Sequence, residues 1–240
     1  MNKIYKFWRN KIVILGSSMA LLVIASCTQK DRGLTTLPAV MTPTDQTFSY
    51  SFESADSLTK QGWILKNLSD EPGNGWSIQT MAGSGFRPYD GTHLFFDSYN
   101  ATTNSSSATG SISDWFISPP LMLQNGDKIS FYTLSNGSID GYGDRLQLRL
   151  NTFNTSADID SASDAVGHFT VPLIDVNPLY KISPPDDYPS VWTKYEATVS
   201  GLNQPDSGRF AFRYFVKLKG GANGDAMAID KVQFTSVNHK

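Results

Sequence analysis

Cysteine is all but absent from this chain: Cys27 is the only one, so no intrachain disulfide and no thiolate metal cluster can form. Histidine is almost as scarce. His93, His168 and His239 are the full set, no Gly-x-Ser-x-Gly turn accompanies them, and His239 lies one residue from the end. That leaves little for a nucleophile and base site. Glutamate is limited to Glu53, Glu71 and Glu196 against nineteen aspartates, and sequence does not show whether two carboxylates face each other as glycoside hydrolysis requires. No cluster of Lys and Arg is present to neutralise a row of phosphates, which argues against nucleic acid as a partner, and no Gly-rich phosphate cradle occurs. Long apolar runs are missing too. The longest, Ile12 to Ala25, is broken by Gly16, Ser17 and Ser18 and falls short of the roughly 18–20 residues that cross a bilayer.

What is present begins with that run. Lys3, Lys6, Arg9 and Lys11 precede it, and Ala25-Ser26-Cys27 ends it, giving the charged, apolar and small-residue parts of a secretory signal. The arrangement resembles the lipobox of bacterial lipoproteins. The resemblance implies a signal peptide over residues 1–26 and a lipid on the Cys27 thiol, with Cys27 as first mature residue and attachment to a membrane through that lipid. An uncleaved membrane anchor and an ordinary signal peptide with an incidental cysteine are the alternatives. Loss of residues 1–26 removes four basic and no acidic side chains from a balance of 20 to 22, leaving a mature charge of −6. No polybasic second membrane signal survives, so attachment would rest on the lipid. Residues 27–47, with Pro38 and Pro43 and no apolar periodicity, read as a flexible tether. The lack of Asp directly after Cys27 resembles lipoproteins sent to the outer membrane, and Lys30-Asp31 loosely resembles a surface-export signal, so the expected location is the outer membrane, facing the cell surface.

From Phe48 onward apolar residues recur at every second position. Phe48, Tyr50 and Phe52 share one face, Leu146, Leu148 and Leu150 alternate with Arg145, Gln147 and Arg149, and Phe210, Phe212, Tyr214 and Val216 share another. Period two means half-buried strands. Further strands are predicted at Trp63–Leu68, Trp76–Gln79, His93–Asp97, Asp114–Ser118, Lys128–Leu134, His168–Val171, Trp192–Val199 and Ala226–Phe234, with no comparable helical spacing. Turn signals such as Asn125-Gly126-Asp127 and Asn223-Gly224-Asp225 separate them. The pattern predicts one all-β domain over residues 48–240, a jelly-roll β-sandwich of two antiparallel sheets. Without disulfides its stability has to come from its core, and aromatics at 12% of the chain supply the buried area.

Several segments, in order, carry a resemblance to the choice-of-anchor J domain, related to cleaved adhesin and MAM-like domains. They are Phe52-Glu53 with Gly62-Trp63, Asp114-Trp115-Phe116-Ile117-Ser118-Pro119, Gly143-Asp144-Arg145-Leu146, Tyr188-Pro189-Ser190-Val191-Trp192, Arg209-Phe210-Ala211-Phe212 and Ala228-Ile229-Asp230-Lys231-Val232. The resemblance implies a jelly roll used for adhesion or ligand binding, and it implies no reaction. In related jelly rolls the first and last strands pair, and some relatives hold a structural calcium at that end. Glu53 and Asp230 would then converge, with Asp97 as a further ligand, a set of hard oxygens suited to Ca²⁺. Exposure to solvent, or pairing with Lys231 or an arginine, is the plainer reading of the same carboxylates.

Asp158 to Asp164 looks at first like a calcium loop, yet Ser163 stands where that loop needs Gly and Phe169 where it needs Glu. Asp160-Ser161-Ala162 and Asp56-Ser57-Leu58 resemble a bacterial O-glycosylation acceptor of the form Asp, Ser or Thr, apolar. For ligand binding, Tyr89, Tyr99, Tyr142 and Tyr180 lie in Gly-, Asn- or Pro-rich surroundings that suit exposed loop aromatics, although each also fits a core edge. These features point to a non-catalytic, lipid-anchored adhesion or recognition module for an extracellular glycan or protein. An accessory subunit of an outer-membrane complex and a carboxylate-dependent glycoside hydrolase are the alternatives.

Overall fold

The computed structural model describes residues 45–80, 85–102, 110–136, 141–217 and 224–237. Cys27, the signal peptide and most of the tether lie outside these residues. In chain order the elements are β1 (Phe48–Tyr50), α1 (Ala55–Lys60), β2 (Ile64–Asn67), β3 (Ser77–Gln79), β4 (Leu94–Ser98), β5 (Ser111–Ile117) and β6 (Leu121–Leu123). Then come β7 (Lys128–Ser135), β8 (Leu146–Asn151), β9 (Val171–Val176), β10 (Thr193–Thr198), β11 (Asp206–Lys217) and β12 (Ala226–Thr235).

The strands form two sheets. One runs β10-β7-β12-β4-β3 with β1 also on β12; the other runs β2-β5-β11-β8-β9 with β6 also on β11. Every pairing is antiparallel. This is the predicted jelly-roll sandwich, and its two longest strands, β11 and β12, stand at the centres of their sheets. The first and last strands do pair, with Phe48 opposite Phe234 and Tyr50 opposite Val232.

Alternation explains the core. Phe210, Phe212, Tyr214 and Val216 on β11 face Ile129 and Phe131 on β7 and Met227, Ile229, Val232 and Phe234 on β12, all buried. Aromatic rings fill the space that disulfides leave unbraced: Trp63 stacks on Phe116 at 4.2 Å, and Phe95 lies between Phe52 at 4.8 Å and Trp76 at 5.1 Å. Each such pair adds about 0.5–1.5 kcal/mol beyond its buried area.

Two expectations shift. The strand predicted at His168–Val171 begins only at Val171, because Phe169 closes a turn onto Val166 and packs instead against Trp115, where Ile159 joins it. The second sheet therefore carries a small cluster on its outer face, roofed by the segment that contains Asp158 to Asp164. The six-residue helix α1, too short to leave a periodic signature, turns the chain between β1 and β2 and buries Leu58.

Candidate functional site

Around the β1–β12 pairing, two acidic side chains grip one loop. Glu53 follows Phe52, whose φ of 57° swings the chain out of β1. Glu53 Oε1 accepts from the N–H groups of Thr92 at 2.9 Å and His93 at 3.2 Å, while Oε2 accepts from Thr92 Oγ1 at 2.7 Å and lies 3.2 Å from His93 Nδ1. Slight desolvation raises the Glu53 carboxyl, but these donors together outweigh it and hold its pKa at about 2. Gly91, at φ +73°, is required here: a Cβ at that position would overlap Glu53 Oε1.

Asp230 holds the other end of the same loop. It sits at a bulge in β12, where register against β7 shifts between Asp230 and Gln233 and Lys231 takes φ +48°. Asp230 Oδ2 accepts from Tyr89 N at 2.9 Å and Asp90 N at 3.0 Å, and Oδ1 accepts from Lys231 N at 2.7 Å. Burial pushes its pKa up to about 6 even so. Asp90 in turn accepts from Ser51 Oγ at 3.0 Å and pairs with Lys231 at 3.1 Å.

Glu53 and Asp230 thus meet on residues 89–93, and Asp97 does not join them. Strand alternation turns Asp97 into the sandwich, where its carboxyl contacts that of Asp114 on β5. Among the described residues no group of three or more His, Asp and Glu side chains is spaced to hold a metal ion. Every carboxylate oxygen of Glu53 and Asp230 already accepts at least one hydrogen bond from the protein, so both carboxylates are tied to the loop whatever else they hold. Together the two side chains clamp the loop from both ends.

The interior acids form a separate feature. Asp114 accepts from Trp76 N at 2.8 Å and Trp115 N at 2.9 Å, Asp97 Oδ1 accepts from Ser98 N at 2.8 Å, and Asp97 Oδ2 has no donor. Asp144 accepts on Oδ1 from Tyr214 OH at 2.6 Å and Asp225 N at 3.0 Å, and on Oδ2 from Ser135 Oγ. Burial raises all three, Asp114 and Asp144 to about 6. Sequence did not bring these three together: Asp97 and Asp114 lie on separate strands and Asp144 just before β8, far apart in the chain.

The clamped loop presents an exposed aromatic stack. Tyr89, 43% exposed, lies flat on Tyr132 at 3.7 Å with 16° between rings, and Trp192 meets it edge-on at 6.2 Å. Trp192 is fixed by its Nε1 donating to Arg87 O at 2.7 Å. Beside this stack the outer face of the first sheet is a polar strip: Lys194 and Lys128 both pair with Glu196, at 3.1 and 2.9 Å, and Gln233 links Ser130 and Ser49. Tyr132 and Trp192 were not singled out by sequence. The alternation of Ile129, Phe131 and Thr133 towards the core does place Tyr132 outward, and that signal was available.

The structure does not bring the predicted tyrosines together. Tyr99 follows β4 at the end away from Tyr89, with its N–H on Asp225 O at 2.7 Å, and Tyr142 precedes β8. Both are exposed, yet among the described residues neither ring stacks on another. Tyr180 is a packing residue: Arg145 lies 5.6 Å from its ring centroid and donates to its hydroxyl at 3.2 Å. His93 serves the Glu53 clamp, and the ring of His168 has no hydrogen-bond partner at its buried Nδ1.

The architecture defines a two-sheet antiparallel jelly roll, similar in fold to cleaved adhesin domains. The K1 and K3 cleaved adhesin domains of Lys-gingipain (Kgp) from Porphyromonas gingivalis superpose with TM-scores of 0.51 and 0.50, at 17% and 16% identity. They cover 80% and 81% of this chain and 99% and 100% of their own. The K2 domain of Lys-gingipain gives 0.52 at 18% identity, covering 80% and 99%. At these identities the likeness is one of fold. No family model and no curated protein sequence matches the chain.

Proposed function

We propose that this chain is a non-catalytic recognition module of the choice-of-anchor J kind, held at the outer membrane through a lipid on Cys27, and that it binds an extracellular glycan at Tyr89. The observation that carries the ligand reading is the Tyr89–Tyr132 stack. Tyr89 stacks on Tyr132 yet stays 43% exposed, on the sheet face that carries Lys194, Glu196, Gln233 and Ser49, whose amide, hydroxyl and charged groups suit sugar hydroxyls. Glu53 and Asp230 fix the loop before any ligand arrives, which lowers the ordering cost of binding. The cleaved adhesin fold supports a binding role, and the small-residue ending at Cys27 supports the anchor.

Glycan-array screening of residues 45–240 tests the reading. Tyr89→Ala is expected to weaken the bound glycan by about 10- to 30-fold, the effect of removing a central aromatic contact, while Tyr99→Ala leaves it unchanged. Binding that survives Tyr89→Ala and Lys194→Ala together would refute the site. For the anchor, Cys27→Ala is expected to abolish incorporation of labelled fatty acid; retained label would refute it.

A further inference from the structure

The two Asp-Ser-apolar tripeptides are equivalent as sequence and unlike in the fold. Ser57 lies within α1, where its hydroxyl donates to Ser54 O at 2.7 Å and meets Tyr50 OH, and the next residue, Leu58, is buried in the main core. An enzyme reaching Ser57 would have to unwind the helix and pull Leu58 out. Ser161 is the opposite case. Asp160, Ser161 and Ala162 are all exposed at the tip of the segment that roofs the second sheet.

That tip is held firmly from below. Ile159 is buried with Trp115 and Phe169, His168 N donates to Asp158 O at 3.0 Å, and Gly167, at φ +48°, has no room for a Cβ against Asp158 O. Arg213 Nη2 donates to Ser163 O at 2.5 Å and Lys66 Nζ to Ala157 O at 2.7 Å. Asp160 takes φ 68° and its Oδ1 accepts from Ser161 N at 2.7 Å, so the acid of the tripeptide is turned back onto the serine. The Ser161 hydroxyl has only a 3.4 Å contact to that carboxylate. The result is a serine on a rigid pedestal with its oxygen open to a macromolecular partner.

We propose that Ser161 carries an O-linked glycan, added after export. Oγ bonds to the anomeric carbon of a sugar activated as a diphosphate ester, the bond from that carbon to the diphosphate breaks with its electron pair leaving on the diphosphate, and the hydroxyl proton passes to a base of the transferase. Nothing is oxidised or reduced. Ser161 stands over the outer face of the second sheet and Tyr89 over that of the first, so the added sugar leaves the ligand strip clear.

The test uses the full chain, recovered from the envelope fraction of a bacterium that makes it. The tryptic peptide from Leu150 to Lys181 is expected to carry a sugar mass that fragmentation assigns to Ser161. Ser161→Ala and Asp160→Ala should each abolish it, and Ser57→Ala should leave it intact. An unmodified Leu150–Lys181 peptide from envelope protein overturns the proposal alone, as does a sugar that survives Ser161→Ala. Absence of the protein from the envelope overturns it together with the export reading.

Discussion

Replacing Asp144 by Asn should make the protein more stable, and increasingly so as pH rises. Asp144 is fully buried, and burial moves its pKa from 3.8 to about 6 against the hydrogen bonds from Ser135, Tyr214 and Asp225. The folded state therefore holds the proton more tightly than the unfolded state, and this group's contribution to stability is full below pH 3.8 and is lost as pH climbs through about 6. The displacement corresponds to about 3 kcal/mol, accumulated at about 1.4 kcal/mol per pH unit. Asparagine fits the same site. Tyr214 OH and Asp225 N both donate to Oδ1, which the amide oxygen reproduces, and the amide nitrogen then faces Ser135 Oγ, which can turn to accept. Urea unfolding of wild type and Asp144→Asn, followed by tryptophan fluorescence at pH 4, 5, 6 and 7.5, reads the difference. The variant should match wild type near pH 4 and exceed it by about 3 kcal/mol at pH 7.5. Other acids titrate in both proteins and cancel, apart from Asp97, which Asp144 also pushes up and which adds in the same direction. A difference that stays constant across the series would refute the argument that burial dominates this carboxyl.

Gly91→Ala should cost about 1–3 kcal/mol, seen as a lower melting temperature, because the new Cβ overlaps Glu53 Oε1 and φ +73° disfavours any side chain; an unchanged midpoint would show that the loop yields freely. Trp63→Ala, which removes the ring stacked on Phe116, should cost about 3–5 kcal/mol by chemical denaturation, and a loss below about 1 kcal/mol would contradict the aromatic core. Chelator should leave the melting temperature unchanged, since among the described residues no third His, Asp or Glu side chain is spaced with Glu53 and Asp230 to hold a metal ion; a calcium-dependent rise absent from Asp230→Asn would restore the cation reading.

Much of the fold was legible because alternation is a local signal. Leu146, Leu148 and Leu150 or Phe210, Phe212 and Tyr214 announce a buried face whatever lies opposite. What was hidden depends on partners distant in the chain. Phe169 reads as part of a strand until Trp115 is known to be bare on the outer face of the second sheet. Asp97 reads as a surface ligand until alternation in β4 is fixed against β12, which turns it inward to Asp114. Glu53 and Asp230 both reach the loop at residues 89–93, and nothing in that loop's sequence announces that its N–H groups donate to carboxylates about 40 and 140 residues away. The exposure of Tyr89 is legible from its Gly- and Pro-rich setting; the ring beneath it, Tyr132, needs the inward face of β7 to be assigned first.

The placement of β11 and β12 has a consequence for how the molecule is made. Each is the hub of its sheet, and they are the last two strands to leave the ribosome. Until they emerge, β5 and β8 have no strand between them, β4 and β7 have none either, and β1 waits for a partner more than 180 residues away. Only the β2–β5, β3–β4, β8–β9 and β7–β10 pairs are available before then, and the two sheets are completed late, by long-range pairing. Such a chain is hard to truncate: a fragment stopped before Asp206 would lack the centre of both sheets and be left to chaperones or proteases.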